Sequence, residues 1–158
     1  MKNFRTYSLC LSILLYGISS SAQTGDVHLN QPDLNKPKQF QALPDNIPVK
    51  MIVVNELLSM EVGHPVSIDL SSGTTSFQFE GTVVSSVSQY DNSLLSVVVK
   101  SSNYPGARLA ISKNTAANGV ISYTGMILSM QHGDLYELKN VDNLFVLVKR
   151  KFYDLVNE

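Results

Sequence analysis

Cysteine and tryptophan are the residues that this chain most nearly lacks, since its 158 residues include one Cys and no Trp. The single thiol, Cys10, lies in an apolar N-terminal stretch that we expect to be removed from the exported protein. A protein without paired cysteines has no disulfide framework and no cysteine-based zinc site. We therefore expect the folded chain to depend on its hydrophobic core alone.

Charge is also scarce, since Asp, Glu, Lys and Arg make up 16% of the residues, against roughly 25% in soluble proteins. The formal net charge of −1 offers no basic excess for a phosphate backbone, so we predict no nucleic-acid partner. No two of the three histidines are spaced four residues apart, as a helical zinc site would require. The sequence has neither a phosphate-binding glycine loop nor a Gly-x-Ser-x-Gly nucleophile elbow. We predict no metal and no cofactor.

The N-terminus has the three parts of a secretory signal peptide. Lys2 and Arg5 supply the positive start, and residues 7–18 form an apolar run that is too short to span a membrane. Small residues at 20–22 then precede the expected cleavage site. We predict a signal peptide over residues 1–22, export to the periplasm or the exterior, and no integral membrane segment after cleavage.

The stretch from 23 to 48 is polar, has no hydrophobic period and contains four prolines. This composition is typical of a flexible or extended leader. Such a leader is either a solvated tether or a segment that lies along a partner. From residue 49 to residue 158 the sequence predicts a single β domain, because strand-like alternation and short turn sequences recur throughout it.

Two long strand-like segments share the pattern aromatic-x-Gly-x-aliphatic-aliphatic-Ser, in which x is any residue. The first segment contains Phe79 and Gly81, and the second contains Tyr123 and Gly125. In both, odd-numbered residues form a largely apolar face that predicts a half-buried strand. A glycine on such a face, next to an aromatic residue, allows the sheet to bend sharply or the aromatic ring to fold over the gap.

The remaining segments complete an all-β prediction. We predict strands at 66–70, 77–88, 94–100, 107–113, 120–130, 135–138 and 144–149, a short strand at 49–54, and helical turns at 56–60 and near the C-terminus. The intervening turns are short, so neighbouring strands should pair antiparallel. The predicted fold is a small antiparallel barrel of about seven to eight strands with one or two short helical turns, and a β-sandwich is the alternative.

Few residues are candidates for a functional site. His132 and Asp134 flank a glycine at a predicted hairpin turn, with Glu137 farther along the strand. These side chains could bind a ligand or act as an acid–base pair, although turns select Gly and Asp for backbone reasons alone. Tyr90 and Tyr104 lie at predicted turns and are candidate contact residues.

Two functions of different classes follow from these observations. The first is a non-catalytic exported β-barrel module that binds a protein or glycan partner through its turns and its leader. The second is a small envelope hydrolase, which requires His132, Asp134 and Glu137 to converge on a concave site near Tyr90 or Tyr104. A third hypothesis is an inhibitor-like or chaperone-like role for an exposed turn at 103–106.

Overall fold

The computed structural model describes residues 35–152. The predicted signal peptide, residues 23–34 and most of the predicted C-terminal helical turn lie outside this range. The strands are β1 (Asn46–Pro48), β2 (Pro65–Asp69), β3 (Gln78–Gln89), β4 (Leu94–Ser101), β5 (Ala107–Thr115), β6 (Ile121–Ser129), β7 (Asp134–Val141) and β8 (Leu144–Lys151), and the helix is α1 (Met51–Leu58).

All eight strands belong to one antiparallel sheet with the order β1-β8-β7-β6-β5-β4-β3-β2. Strands β2 to β8 form a meander in which each strand pairs with the next one along the chain. The first strand, β1, pairs with the last strand, β8. An isolated antiparallel bridge between Val49 and Ser71 joins the regions that follow β1 and β2. The sheet therefore curls into a half-barrel, which confirms the predicted all-β barrel architecture with a short helix. Within residues 35–152 a two-sheet sandwich does not form, since every strand described there belongs to the same sheet.

The core lies on the concave face of the sheet. Val97 and Val99 of β4, Leu109 of β5 and Ile127 of β6 are almost fully buried there. These positions alternate with more exposed residues, as the period of two in a strand requires. Helix α1 packs into the same space, so the concave face is covered by the chain's own side chains.

The segment 49–54, predicted as a strand, lies instead largely in α1. Residues Val54, Leu57 and Leu58 of the helix are buried, and this spacing places them on one face of the helix. The β-branched residues at 52–54 favour a strand locally, but burial of this face against the core prevails over that weak preference. The strand prediction at this point was wrong.

The described part of the predicted leader is packed against the domain. Residues Asn46–Pro48 form strand β1, which pairs with β8 so that Pro48 lies opposite Val146. Phe40 and Ile47 are buried in the core. The compact unit therefore begins before residue 49. The polar composition of this stretch concealed its two large apolar anchors.

Strand β3 contains a β-bulge at Val84, where the pairing with β4 shifts by one residue. Up to Val83, odd-numbered residues face the core. Beyond the bulge, Ser86 pairs with the buried Val97 and Ser88 pairs with Leu95, so even-numbered residues take over the concave face. The bulge thus changes the second half of β3 from an apolar to a hydroxyl-bearing inner surface.

The two glycines of the shared pattern meet different neighbours. A Cβ atom added at Gly81 would lie 2.2 Å from the carbonyl oxygen of Lys100 on β4. The equivalent atom at Gly125 would lie 3.1 Å from the carbonyl oxygen of Ala110 on β5. The backbone of a neighbouring strand therefore approaches both glycines, and it does so much more closely at Gly81.

Candidate functional site

One end of the half-barrel is filled by aromatic rings, and we call it the sealed end. Its rings come from Phe40 before β1, Phe77 and Phe79 at the start of β3, Tyr104 in the β4–β5 turn, and Tyr136 on β7. Phe40 contacts Tyr104 with a centroid separation of 5.2 Å and Tyr136 with one of 5.6 Å. Edge-to-face and tilted contacts of this kind stabilise a cluster beyond the area that it buries.

The segment 36–40 is held against the sealed end by hydrogen bonds, and we call this arrangement the clasp. The Lys38 ammonium donates to the carbonyl oxygens of His132 at 2.8 Å and Gly133 at 2.5 Å. The backbone N–H of Gln39 donates to Asp134 Oδ2 at 2.7 Å. Because Lys38 and Gln39 directly precede the buried Phe40, these bonds fix the approach of the chain to its aromatic anchor.

His132 and Asp134, both predicted site residues, therefore contact the chain's own N-terminal segment. His132 Nδ1 lies 2.8 Å from the carbonyl oxygen of Pro37. Since a carbonyl oxygen only accepts hydrogen bonds, Nδ1 carries a proton and donates it. Asp134 is buried, and its Oδ2 accepts the Gln39 N–H. Both side chains support the packing of the leader.

The two predicted tyrosines have contrasting environments. Tyr104 is part of the aromatic cluster, and burial raises the pKa of its phenol. Tyr90 lies at the other end of the sheet, in the β3–β4 turn, where it is 77% exposed and has a positive φ of 53°. Tyr104 thus contributes to packing, whereas Tyr90 is available to solvent.

Glu137 does not join His132 and Asp134. It lies an odd number of positions from Asp134 along β7, and so the two carboxylates point to opposite faces of the sheet. Glu137 forms ion pairs with Lys139 and Arg150 on the outer face. The Lys139 hydrogen bond, opposed by partial burial and aided by Arg150, lowers the pKa of Glu137. The convergence required by the hydrolase hypothesis is absent from this geometry.

The opposite end of the half-barrel carries a cleft, and we call it the open-end cleft. It lies between the C-terminal part of α1 and the concave face of β3–β6, with a volume of about 540 Å³. Its floor follows one row across the sheet, in which Ser88 pairs with Leu95, Leu95 with Lys113, and Lys113 with Tyr123. The antiparallel register therefore gathers four chemically different side chains on one concave surface.

Polar side chains outnumber apolar ones in the lining of the open-end cleft. The hydroxyl and amide side chains that line it are Asn55, Ser59, Ser86, Ser88, Asn92 and Tyr123. Two of them are fixed by each other, since the Tyr123 hydroxyl donates to Asn55 Oδ1 at 2.9 Å. The Ser88 hydroxyl likewise donates to Asn92 Oδ1 at 2.6 Å. These bonds hold the walls in place and leave the Asn92 amide N–H groups free to bind a ligand.

Apolar and charged side chains complete the lining. Leu58, Met60 and Leu95 supply the apolar surface, and Glu61 and Lys113 supply the charges. Among the described residues, Glu61 and Lys113 form no ion pair with each other or with any other side chain. A concave surface that combines apolar side chains with orienting polar groups has the chemistry of a ligand site.

The residues of the open-end cleft were missed in the sequence. Ser86 and Ser88 occupy even-numbered positions that the regular alternation assigns to the outer face, and only the bulge at Val84 turns them inward. The adjacent apolar pair Val83 and Val84 is the available signal, because it breaks strict alternation. Lys113 could have been found from its odd-numbered position in β5, in line with the buried Leu109 and Ile111.

A second opening lies on the outer face between β6 and β7. Their pairing runs from Ser129 opposite Asp134 only as far as Met126 opposite Glu137. Residues 121–125 of β6 pair with β5, and residues 138–141 of β7 pair with β8, but the two stretches do not pair with each other. The groove between them has a volume of about 440 Å³. The sheet thus exposes an unpaired stretch of β6 edge.

Comparisons of the chain with protein-family models, with curated proteins and with solved structures found no match. Within residues 35–152, no three or more His, Cys, Asp or Glu side chains are grouped as metal ligands. In the same range, no helix has the length and apolar character to cross a membrane.

Proposed function

We propose that the chain is an exported, non-catalytic β-barrel module that binds a glycan in the open-end cleft. The observation that carries this proposal is the set of polar groups left without a partner in a concave, partly apolar surface. The side chains of Ser86, Lys113 and Glu61 have no hydrogen-bond partner among the described residues, although they line one cleft. Ser86 and Glu61 are exposed and Lys113 is half-buried, so all three can form hydrogen bonds with a ligand that enters the cleft, and a concave surface of this composition is typical of a ligand site.

The mixture of groups supports a sugar. Each sugar hydroxyl both donates and accepts a hydrogen bond, and serine hydroxyls and asparagine amides offer both capacities within short, well-fixed side chains. Sugar rings also present C–H surfaces that pack on apolar residues, for which Leu58, Met60 and Leu95 are placed. Because Asn55 and Tyr123 are bonded to each other, the cleft wall is preorganised, which reduces the cost of binding.

Titration of the purified, isotopically labelled protein with oligosaccharides tests this function. Suitable probes are cellotetraose, chitotetraose and tetragalacturonate, followed by amide chemical shifts. We expect at least one probe to shift the amides of Ser86, Leu95 and Lys113 in a saturable manner. Shifts confined to the sealed end, or no saturable shift with any of the three probes, would contradict glycan binding in the cleft.

The β6 edge favours a second candidate function, the binding of a partner protein by strand addition. Unpaired backbone groups at 121–125 can pair with an extended segment of a partner. Val120 and Ile121, at the start of that edge, are exposed apolar residues that such a segment would cover. A lysine substituted into an exposed strand edge discourages pairing with another strand. We therefore expect Ile121→Lys to abolish capture of the partner in cross-linking experiments, whereas Val87→Lys on the outer face of β3 leaves capture intact.

A further inference from the structure

We infer that the ligand of the open-end cleft is an acidic sugar, whose carboxylate or sulfate is bound by the Lys113 ammonium. This inference rests on the proposed glycan-binding function and adds the charge of the ligand to it. It depends on the environment of one cation and on the groups around it.

Lys113 differs from the other half-buried cations of the described chain. Lys50 pairs with Asp69, Lys139 with Glu137, and Lys149 with Asp45. Lys113 is also half-buried, but within residues 35–152 it has no ion pair and no hydrogen bond. A lysine can bury its aliphatic stem and keep its ammonium in water, so the N–H donors of Lys113 stay available to an acceptor from outside the chain. An anionic ligand would supply the missing acceptor.

The position of Lys113 directs this charge into the cleft. The residue lies on the concave face of β5, directly between Leu95 on β4 and Tyr123 on β6. Its two neighbours offer no carboxylate, so nothing in the same row neutralises the ammonium. An acid entering the cleft from the open end would meet Lys113 at the floor, with the apolar side chain of Leu95 on one side.

One other hydroxyl donor of the cleft, that of Ser86, is available to the same anion. Ser86 and Ser88 line the cleft from β3, and the Ser86 hydroxyl has no partner among the described residues. A carboxylate or a sulfate ester only accepts hydrogen bonds, so it complements an ammonium together with a free hydroxyl. The single cation of the cleft lining complements one negative charge of the bound ligand.

Glu61 is the other charge in the cleft, and it selects the orientation of the ligand. It lies on the turn after α1, whereas Lys113 lies on the sheet, and the two form no ion pair. The carboxylate of Glu61 repels the acidic group of a ligand and accepts hydrogen bonds from its hydroxyls. The acidic group therefore faces Lys113, and a hydroxyl-bearing edge of the sugar faces Glu61.

The test compares three oligosaccharides of equal length with the purified protein by calorimetry: tetragalacturonate, its methyl ester, and a sulfated tetrasaccharide. We expect the wild-type protein to bind at least one of the two acidic probes about tenfold more tightly than the neutral ester, the size of one charge-assisted hydrogen bond. The acidic probe that binds more tightly identifies the acid as a carboxylate or a sulfate. Equal affinity for the neutral and both acidic probes overturns the inference and leaves the proposed function standing. Binding of none of the three overturns the inference, and it overturns the proposed function as well only if cellotetraose and chitotetraose also fail to bind.

Three variants localise the effect. Lys113→Met keeps much of the length of the side chain without its charge, so we expect it to lose the preference for the acidic probe and to keep its affinity for the ester. Lys113→Arg should retain the preference, and Lys100→Met, which removes an exposed lysine on β4, should leave all affinities unchanged. A preference for the acidic probe that survives Lys113→Met, with the fold intact by thermal unfolding, would assign the charge recognition elsewhere and overturn the inference.

Discussion

The two ends of the half-barrel are built by the same strands but differ in what lies between those strands. At the sealed end, aromatic rings fill the space between the strands, and a segment from before β1 is fixed over them by the clasp. At the open end, α1 and the tips of β3–β6 leave a cleft in which polar groups have no partner. Strand β3 shows the change along its own length, with Phe79 at one end and Ser88 at the other.

The difference indicates which end maintains the fold and which end is available for recognition. Packing energy depends on buried apolar area, which the aromatic cluster supplies at the sealed end. The polar side chains of the open-end cleft are mostly exposed, and substitutions of exposed side chains usually change stability little. We therefore expect substitutions at the sealed end to change stability strongly and those in the open-end cleft to change binding.

The largest expected effect is that of Phe40→Ala at the sealed end. Phe40 is 1% exposed and contacts the rings of Phe77, Tyr104 and Tyr136. Its truncation should lower the free energy of unfolding by about 3–5 kcal/mol, the usual cost of removing a buried aromatic ring. The matched variant Tyr90→Ala at the open end should change it by less than about 0.5 kcal/mol. Urea denaturation measures both, and similar losses in the two variants would contradict the division into ends.

Substitution of the two strand glycines is expected to have the next largest effect. Gly81→Ala would place a Cβ atom 2.2 Å from a backbone oxygen of β4, and the strands would have to separate. We expect a loss of about 3 kcal/mol in the free energy of unfolding. Gly125→Ala, with its nearest backbone atom at 3.1 Å, should cost about 1 kcal/mol. If denaturant titrations showed a larger loss in the free energy of unfolding for Gly125→Ala than for Gly81→Ala, the close contact at Gly81 would not be rigid.

Asp69, at the sealed end, should make the free energy of unfolding depend on pH in the acidic range. Burial alone would raise its pKa, but hydrogen bonds from the N–H groups of Phe77 and Ser71 and the Lys50 ammonium together lower it. The stabilising effect of the carboxylate is therefore fully present above its ordinary pKa of 3.8 and is lost as the pH falls through the lower folded-state value. At neutral pH, Asp69→Ala should cost about 1–3 kcal/mol, because two backbone donors lose their acceptor.

Unfolding measured between about pH 6 and about pH 2 checks this prediction. The cost of Asp69→Ala should decrease as the pH falls, because the wild-type protein loses the same interaction by protonation. The control is Glu56→Ala, which removes an exposed carboxylate of α1 that forms no ion pair with any described residue. If the difference in the free energy of unfolding between Asp69→Ala and the wild-type protein stayed constant over this range, the charge of the Asp69 carboxylate would not contribute to stability.

The sequence predicted most of the sheet, because the strands from β2 to β8 alternate and are separated by recognisable turns. It did not predict the cleft, because a bulge is one additional residue with no strong signal, and the bulge at Val84 reverses the face of everything after it in β3. It did not predict the clasp either. The burial of Phe40 depends on rings that are distant in sequence, and local composition contains no information about them.

The smallest expected effect concerns the clasp itself. The Lys38 ammonium donates to two carbonyl oxygens in the β6–β7 turn, whereas the Lys36 ammonium makes one long contact of 3.4 Å with an exposed glutamine. Lys38→Met should lower the free energy of unfolding by about 0.5–1 kcal/mol, and Lys36→Met by less than that. Hydrogen exchange at the Gln39 amide provides the more specific measurement, since that N–H donates to Asp134. Its exchange should accelerate in Lys38→Met and stay unchanged in Lys36→Met. Equal protection of that amide in both variants would mean that Phe40 alone, without the polar contacts of the turn, keeps this segment on the sealed end.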